Sequence, residues 1–125
     1  MTIQNSGIDP EIFAEFLDES SDGLEQVSDL LVQLEQNPDD IEIIQTIFRP
    51  VHSLKGNAAF FELMNTKVLA HRLENVLDLL RKEAMAVSNP VINVLLDGVD
   101  ELRRMLERAR SGEKEVADKE AFDSI

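Results

Sequence analysis

The sequence predicts an all-α protein, an up-and-down antiparallel four-helix bundle followed by a charged linker or a partial fifth helix. Three observations predict it. Apolar residues recur at helical spacing in four separate stretches. Short segments rich in helix stop and start residues divide those stretches, which suits antiparallel neighbours. Almost nothing alternates apolar with polar at the strand period of two. With 125 residues and 43% apolar content, the chain is long enough to bury one core of its own.

Residues 1–8 read as a flexible lead-in, and the bundle is expected over 9–112. Asp9-Pro10-Glu11 opens the first helix, with Asp9 as N-cap and Pro10 at the first helical position. Ile12, Phe13, Phe16, Leu17, Leu24, Val27, Leu30, Leu31 and Leu34 then form one stripe over about seven turns. Gly23 weakens the middle by ~1 kcal/mol relative to Ala but leaves the phase intact. The helix stops at Gln36-Asn37-Pro38, and Asp39 or Asp40 starts the second, expected to run from about Asp40 to Phe61. Inside it Pro50 offers no N–H to the carbonyl of Thr46, and a kink just before His52 is expected. The turn around Glu62–Asn65 reverses the chain, with Asn65 as N-cap of a third helix to about Ala84. Leu69, Leu73, Val76, Leu77 and Leu80 share one face of it. Ser88-Asn89-Pro90 opens the fourth, where Val91, Leu95, Val99, Leu102 and Leu106 align, and Ser111-Gly112 ends it. Residues 113–125 are charged and then carry Phe122 and Ile125. Phe13, Phe16, Phe48, Phe60 and Phe61 are assigned to the core or its caps.

Charge and composition narrow the function classes. A formal net charge of −13 opposes binding to nucleic acid, which relies on Lys and Arg, and to anionic membrane surfaces. No run approaches the roughly 18 apolar residues of a spanning helix, and no basic-then-apolar leader opens the chain. There is no cysteine, hence no disulfide frame and no thiolate chemistry, and a cytoplasmic location is expected. No glycine-rich nucleotide loop and no Asp/Asn pair for Mg²⁺ beside ATP is present, so the chain by itself is not expected to be an enzyme or to need a cofactor.

What chemistry remains centres on histidine, of which there are two, His52 and His71. On a helix, Ile44, Ile47, Val51, Leu54 and Ala58 fall on one side, and His52 lies roughly 120° from that stripe, on the wet side with Arg49 and Gly56. Lys55 and Gly56 follow one turn on, a cation and a bare patch of backbone beside the imidazole. His52 lies 11 residues before Leu63 and Glu74 lies 11 after it, so a turn centred there sets the two level on neighbouring helices, about 16 Å above it. Lys55 and His71 are level by the same reasoning. His52, Lys55, His71 and Glu74 are therefore expected as one surface cluster. A carboxylate accepting from Nδ1–H would fix the tautomer whose Nε2 lone pair points outward, making a nucleophile towards phosphorus. Lys55 would offset the charge of an attached phosphoryl group.

The residues alone also admit plainer readings. An exposed histidine on a helix is commonly a surface residue, Glu74 and Asp78 can belong to a solvated acidic face, and His71 can be a supporting polar group. No metal site is expected, since two histidines and one carboxylate lack a further nitrogen or sulfur ligand. A helical interaction module with an incidental His52 stays open on this basis.

The run His52-Ser53-Leu54-Lys55-Gly56-Asn57-Ala58-Ala59-Phe60-Phe61 resembles the phospho-accepting segment of histidine phosphotransfer (HPt) domains, above all the N-terminal one of CheA-type chemotaxis kinases. Leu69-Ala70-His71-Arg72-Leu73-Glu74-Asn75-Val76-Leu77-Asp78 is similar to that family's second motif, at matching distance from the first. The likeness runs from about Phe13 to Gly112, and Phe122-Asp123-Ser124-Ile125 resembles the opening of the extra helix that follows the bundle in CheA. The resemblance implies a phosphoryl carrier in a two-component phosphorelay. His52 would be phosphorylated at Nε2, Glu74 would bond its Nδ1, and Lys55 and His71 would tune it. Gly56, Arg49 and Asn57 would form the docking surface. The implied partners are an ATP-binding kinase domain, in the same or another chain, and the receiver domain of a response regulator. A stand-alone phosphorelay carrier is the nearest alternative. Two residues depart from the pattern: Pro50 stands where the family has a small helix-compatible residue, and Asn57 replaces a second glycine common in the CheA version.

Overall fold

A computed structural model describes residues 9–115. Four helices are found among them: α1 Pro10–Gln36, α2 Ile41–Phe60, α3 Met64–Arg81 and α4 Asn89–Arg110, with no strand. Each helix packs on its neighbours in sequence and α1 also packs on α4, which closes the bundle, with α2 and α3 in the most extensive contact. The expectations for residues 1–8 and for Phe122–Ile125 lie outside the described residues. No described helix is long and apolar enough to cross a membrane.

Side-chain caps fix three of the four helix starts. Asp9 Oδ1 accepts from the Glu11 N–H at 2.8 Å, Asp40 Oδ1 from Glu42 at 3.1 Å and Ile43 at 3.4 Å, and Ser88 Oγ from Val91 at 3.4 Å. Each satisfies backbone donors that a helix leaves without internal partners.

The third start corrects the sequence reading. α3 begins at Met64, with Leu63 in the cap position and no side-chain bond from it, so Asn65 lies inside the helix. The acceptor comes from beyond α4: Glu115 takes the N–H of Thr66 at 2.7 Å, that of Asn65 at 3.4 Å, and the Thr66 hydroxyl at 3.2 Å. A carboxylate against a helix N-terminus also meets the positive end of its dipole. α3 ends at Arg81 rather than near Ala84, because Glu83 turns left-handed with φ 60 and breaks the helical path.

The core is aliphatic. Leu17, Leu24, Leu31, Leu34, Ile44, Ile47, Leu69, Leu73, Leu77, Ile92, Leu95 and Leu102 are all but fully buried. Above it Phe61 stacks on Phe16, centroids 4.6 Å apart, and tilts against Phe13 at 5.4 Å. Two apolar residues assigned to the interior lie outside. Ile12 is exposed because it sits roughly 100° from the centre of the buried α1 stripe. Phe60 is 67% exposed, since it lies roughly 160° from the α2 stripe, while Phe61 one step on turns inward. α2 runs unbroken through Pro50. Facing it from α1 is Gly23, where an added Cβ would come to ordinary contact with Pro50 at 3.6 Å.

Candidate functional site

α2 and α3 place the site between them. His52 leaves the wet side of α2 with its side chain 60% exposed, whereas Glu74, on the flank of α3 that faces α2, is only 12% exposed. His52 Nδ1 lies 2.5 Å from Glu74 Oε2, and Lys55 Nζ donates to Glu74 Oε1 at 2.7 Å. Both oxygens of one carboxylate are thus occupied from α2, by residues one turn apart.

Protonation follows from this arrangement. Burial raises the Glu74 carboxyl, but hydrogen bonds from Lys55 and His52 and their charges outweigh it, leaving the group below its ordinary value. Near neutral pH it is a carboxylate, which only accepts. The His52 contact then requires the proton on Nδ1, and in the neutral ring the bare nitrogen is Nε2.

Level placement about Leu63 brought His52 to Glu74, but the four-residue cluster is not formed as drawn. Lys55 reaches Glu74 rather than its level partner His71. His71 is exposed, and no hydrogen bond or ion pair joins it to the other three among the described residues. The cause is angular: His71 lies roughly 150° from the buried face of α3, and Glu74 roughly 90°. Arg49, Gly56 and Asn57 are all exposed. A Cβ at Gly56 would meet nothing within 4 Å, so this glycine does not serve a helix crossing and leaves open surface beside the imidazole. Among the described residues, no three His, Cys, Asp or Glu side chains are placed to hold a metal ion.

Two further residues adjoin the ring. Phe48, one turn before His52, stacks on the imidazole with centroids 5.8 Å apart and planes 12° from parallel. The guanidinium carbon of Arg81, at the end of α3, lies 4.4 Å from the Phe48 centroid. The i, i+4 spacing of Phe48 and His52 was a signal for the first contact; the reach of Arg81 from another helix left none.

The Hpt domain family matches residues 11–112. This chain is an Hpt domain. The domain is 36% identical over 110 residues to the chemotaxis protein CheA of Klebsiella aerogenes, an alignment covering 88% of this chain and 17% of that protein. Among solved structures it is similar to the CheA phosphotransferase domain from Thermotoga maritima, with a TM-score of 0.76, 34% identity, and 82% and 97% of the two chains covered. It is similar too to the phosphorylated P1 domain of CheA3 in complex with CheY6 from R. sphaeroides, with a TM-score of 0.81, 27% identity and 91% of each chain covered. This Hpt domain spans less than a fifth of the length of the curated CheA relatives it matches.

Proposed function

We propose that this Hpt domain is a phosphoryl carrier whose accepting atom is His52 Nε2, as the first domain of a CheA-type chemotaxis kinase. The observation that carries the reading is the 2.5 Å contact from Nδ1 of an exposed imidazole to a largely buried carboxylate, which leaves Nε2 as the bare nitrogen. The relatives support it, since one of the similar structures is a phosphorylated P1 domain bound to CheY6.

The transfer balances without moving a proton on the ring. The Nε2 lone pair attacks the γ-phosphorus of ATP held by a kinase domain, an N–P bond forms, and the P–O bond to ADP breaks. The ring becomes a phosphoimidazolium with Nδ1–H still on Glu74, whose negative charge stabilises that cation. A receiver-domain aspartate then attacks phosphorus, and the N–P electron pair returns to Nε2. Lys55 secures the second oxygen of Glu74 and supplies positive charge near the phosphoryl group. Arg49, Gly56 and Asn57 form the surface on which kinase and receiver domains dock in turn. His71, exposed on α3, is a supporting neighbour that tunes reactivity without a step of its own. The domain has no activity alone, its catalysts being its partners, and it works in the cytoplasm. Residues 9–112 form the phosphotransfer unit.

Incubation with ATP and a CheA kinase core lacking its own P1 domain tests this. An acid-labile label lost in His52→Gln is expected, with transfer to a CheY receiver on mixing. No label, or a label retained in His52→Gln, contradicts it.

A further inference from the structure

A hydrogen bond at one ring nitrogen restrains the imidazole only through its length and angle. The ring of His52 can still tilt by coupled changes of its two side-chain torsions that keep Nδ1 within reach of Oε2, because the terminal torsion of an aromatic side chain is soft. With 60% of the side chain exposed, little else encloses it. The Nε2 lone pair lies in the ring plane, so a swing re-aims it, and in-line attack on phosphorus is sensitive to such misalignment.

The structure supplies a second restraint. Phe48 lies against the imidazole at 5.8 Å and 12°, an offset parallel stack of the kind aromatic rings favour. Phe48 is itself held, being half-buried and packed against the core while Arg81 lies over its ring at 4.4 Å. Arg81 is in turn hydrogen-bonded to Asp78 on the same helix. The sequence from Asp78 through Arg81 and Phe48 to His52 thus ties the plane of the imidazole to α3, just as Glu74 ties its Nδ1 corner.

We infer that Phe48 is a positioning residue for phosphoryl transfer, holding the plane of the His52 ring so that Nε2 stays aimed outward. Arg81 is the anchor that keeps Phe48 in place. This rests on His52 being the accepting residue, and the experiment separates the two ideas.

The initial rate of His52 phosphorylation is measured with phosphoramidate, a small donor that needs no docked protein, and with ATP plus the kinase core. Phe48→Leu keeps apolar bulk without a π face and Phe48→Tyr restores the ring. Phe48→Leu is expected to be roughly 3- to 10-fold slower with both donors, the range an aromatic pair supplies, and Phe48→Tyr to stay near wild type. The NMR order parameter of the His52 ring should fall in Phe48→Leu only. A wild-type rate with phosphoramidate, a Tyr variant as slow as Leu, or an unchanged order parameter overturns the inference. So does a defect seen only with the kinase, which makes Phe48 a docking residue. Should Phe48→Leu melt below assay temperature, Arg81→Ala carries the test, with about a 2-fold loss expected with phosphoramidate and a wild-type rate contradicting it. A wild-type domain left unlabelled, or a labelled His52→Gln, defeats the carrier reading instead, whatever stands at position 48.

Discussion

Lys55 and Glu74 are joined at 2.7 Å from Nζ to Oε1, so the carboxylate that meets His52 is itself held from the helix that carries His52. The lysine offered by sequence as a counter-charge for phosphate is first a brace for the residue that orients the imidazole. Burial raises the Glu74 carboxyl, and the Lys55 hydrogen bond is the foremost of the effects that bring it below its ordinary value. Lys55→Met should therefore raise the Glu74 carboxyl from its lowered position. A ¹³C NMR titration of that carboxyl reads this directly; a midpoint in the wild-type place contradicts the brace.

Glu74→Ala should leave the bundle folded and slow phosphorylation by about 10- to 100-fold, the worth of a hydrogen bond to a charged group. Lys55, partly exposed, can turn to water when its partner is gone. Rates set beside a circular dichroism melt check both halves, and an unchanged rate removes Glu74 from the mechanism.

The same carboxylate gives stability a pH dependence of known sign. Its folded pKa lies below the ordinary 4.5, so its contribution is complete above that value and is lost as pH falls through the lower folded one. Urea midpoints should therefore fall more steeply for wild type than for Glu74→Gln below pH 4.5, with the difference flat above it. Parallel curves there would show that the pair adds nothing to folding.

Leu73 is 1% exposed on the buried face of α3, one residue before Glu74. Leu73→Ala should cost about 2–5 kcal/mol, lost transfer energy plus the cavity left behind. Chemical denaturation measures it, and a wild-type midpoint would place the wrong face of α3 inside.

Glu115→Ala strips the acceptor from the Asn65 and Thr66 amides. A loss of about 0.5–2 kcal/mol is expected, the range for a helix cap. Burial pushes the Glu115 carboxyl up, against the lowering effect of its bonds to Thr66 and Asn65, which favours the lower part of that range. Amide hydrogen exchange should quicken at the first turn of α3 and not at that of α1, where Asp9 is untouched.

Local chemistry was legible wherever it decided the structure. Asp9-Pro10, Asp40 and Ser88-Asn89-Pro90 opened helices where their own side chains could cap, and level placement about Leu63 found the His52–Glu74 pair. The misreadings share a cause, which is that the deciding partner is distant in sequence or the helix phase was taken too broadly. Asn65 was read as a cap because nothing nearby announces Glu115, 50 residues on. His71 shares both the height and the polar side of the site, but it lies roughly 150° from the buried face of α3. No hydrogen bond or ion pair joins it to the other three among the described residues. Phe60 was counted with its aromatic neighbours although its phase sets it opposite the core.

The most direct measurement is the position of phosphorus on the labelled protein, read by ¹⁵N–³¹P NMR of the imidazole after phosphorylation by a CheA kinase core. Coupling at Nε2 of His52, with Nδ1 still protonated, is the predicted result. Phosphorus on Nδ1, or on any residue other than His52, would contradict it.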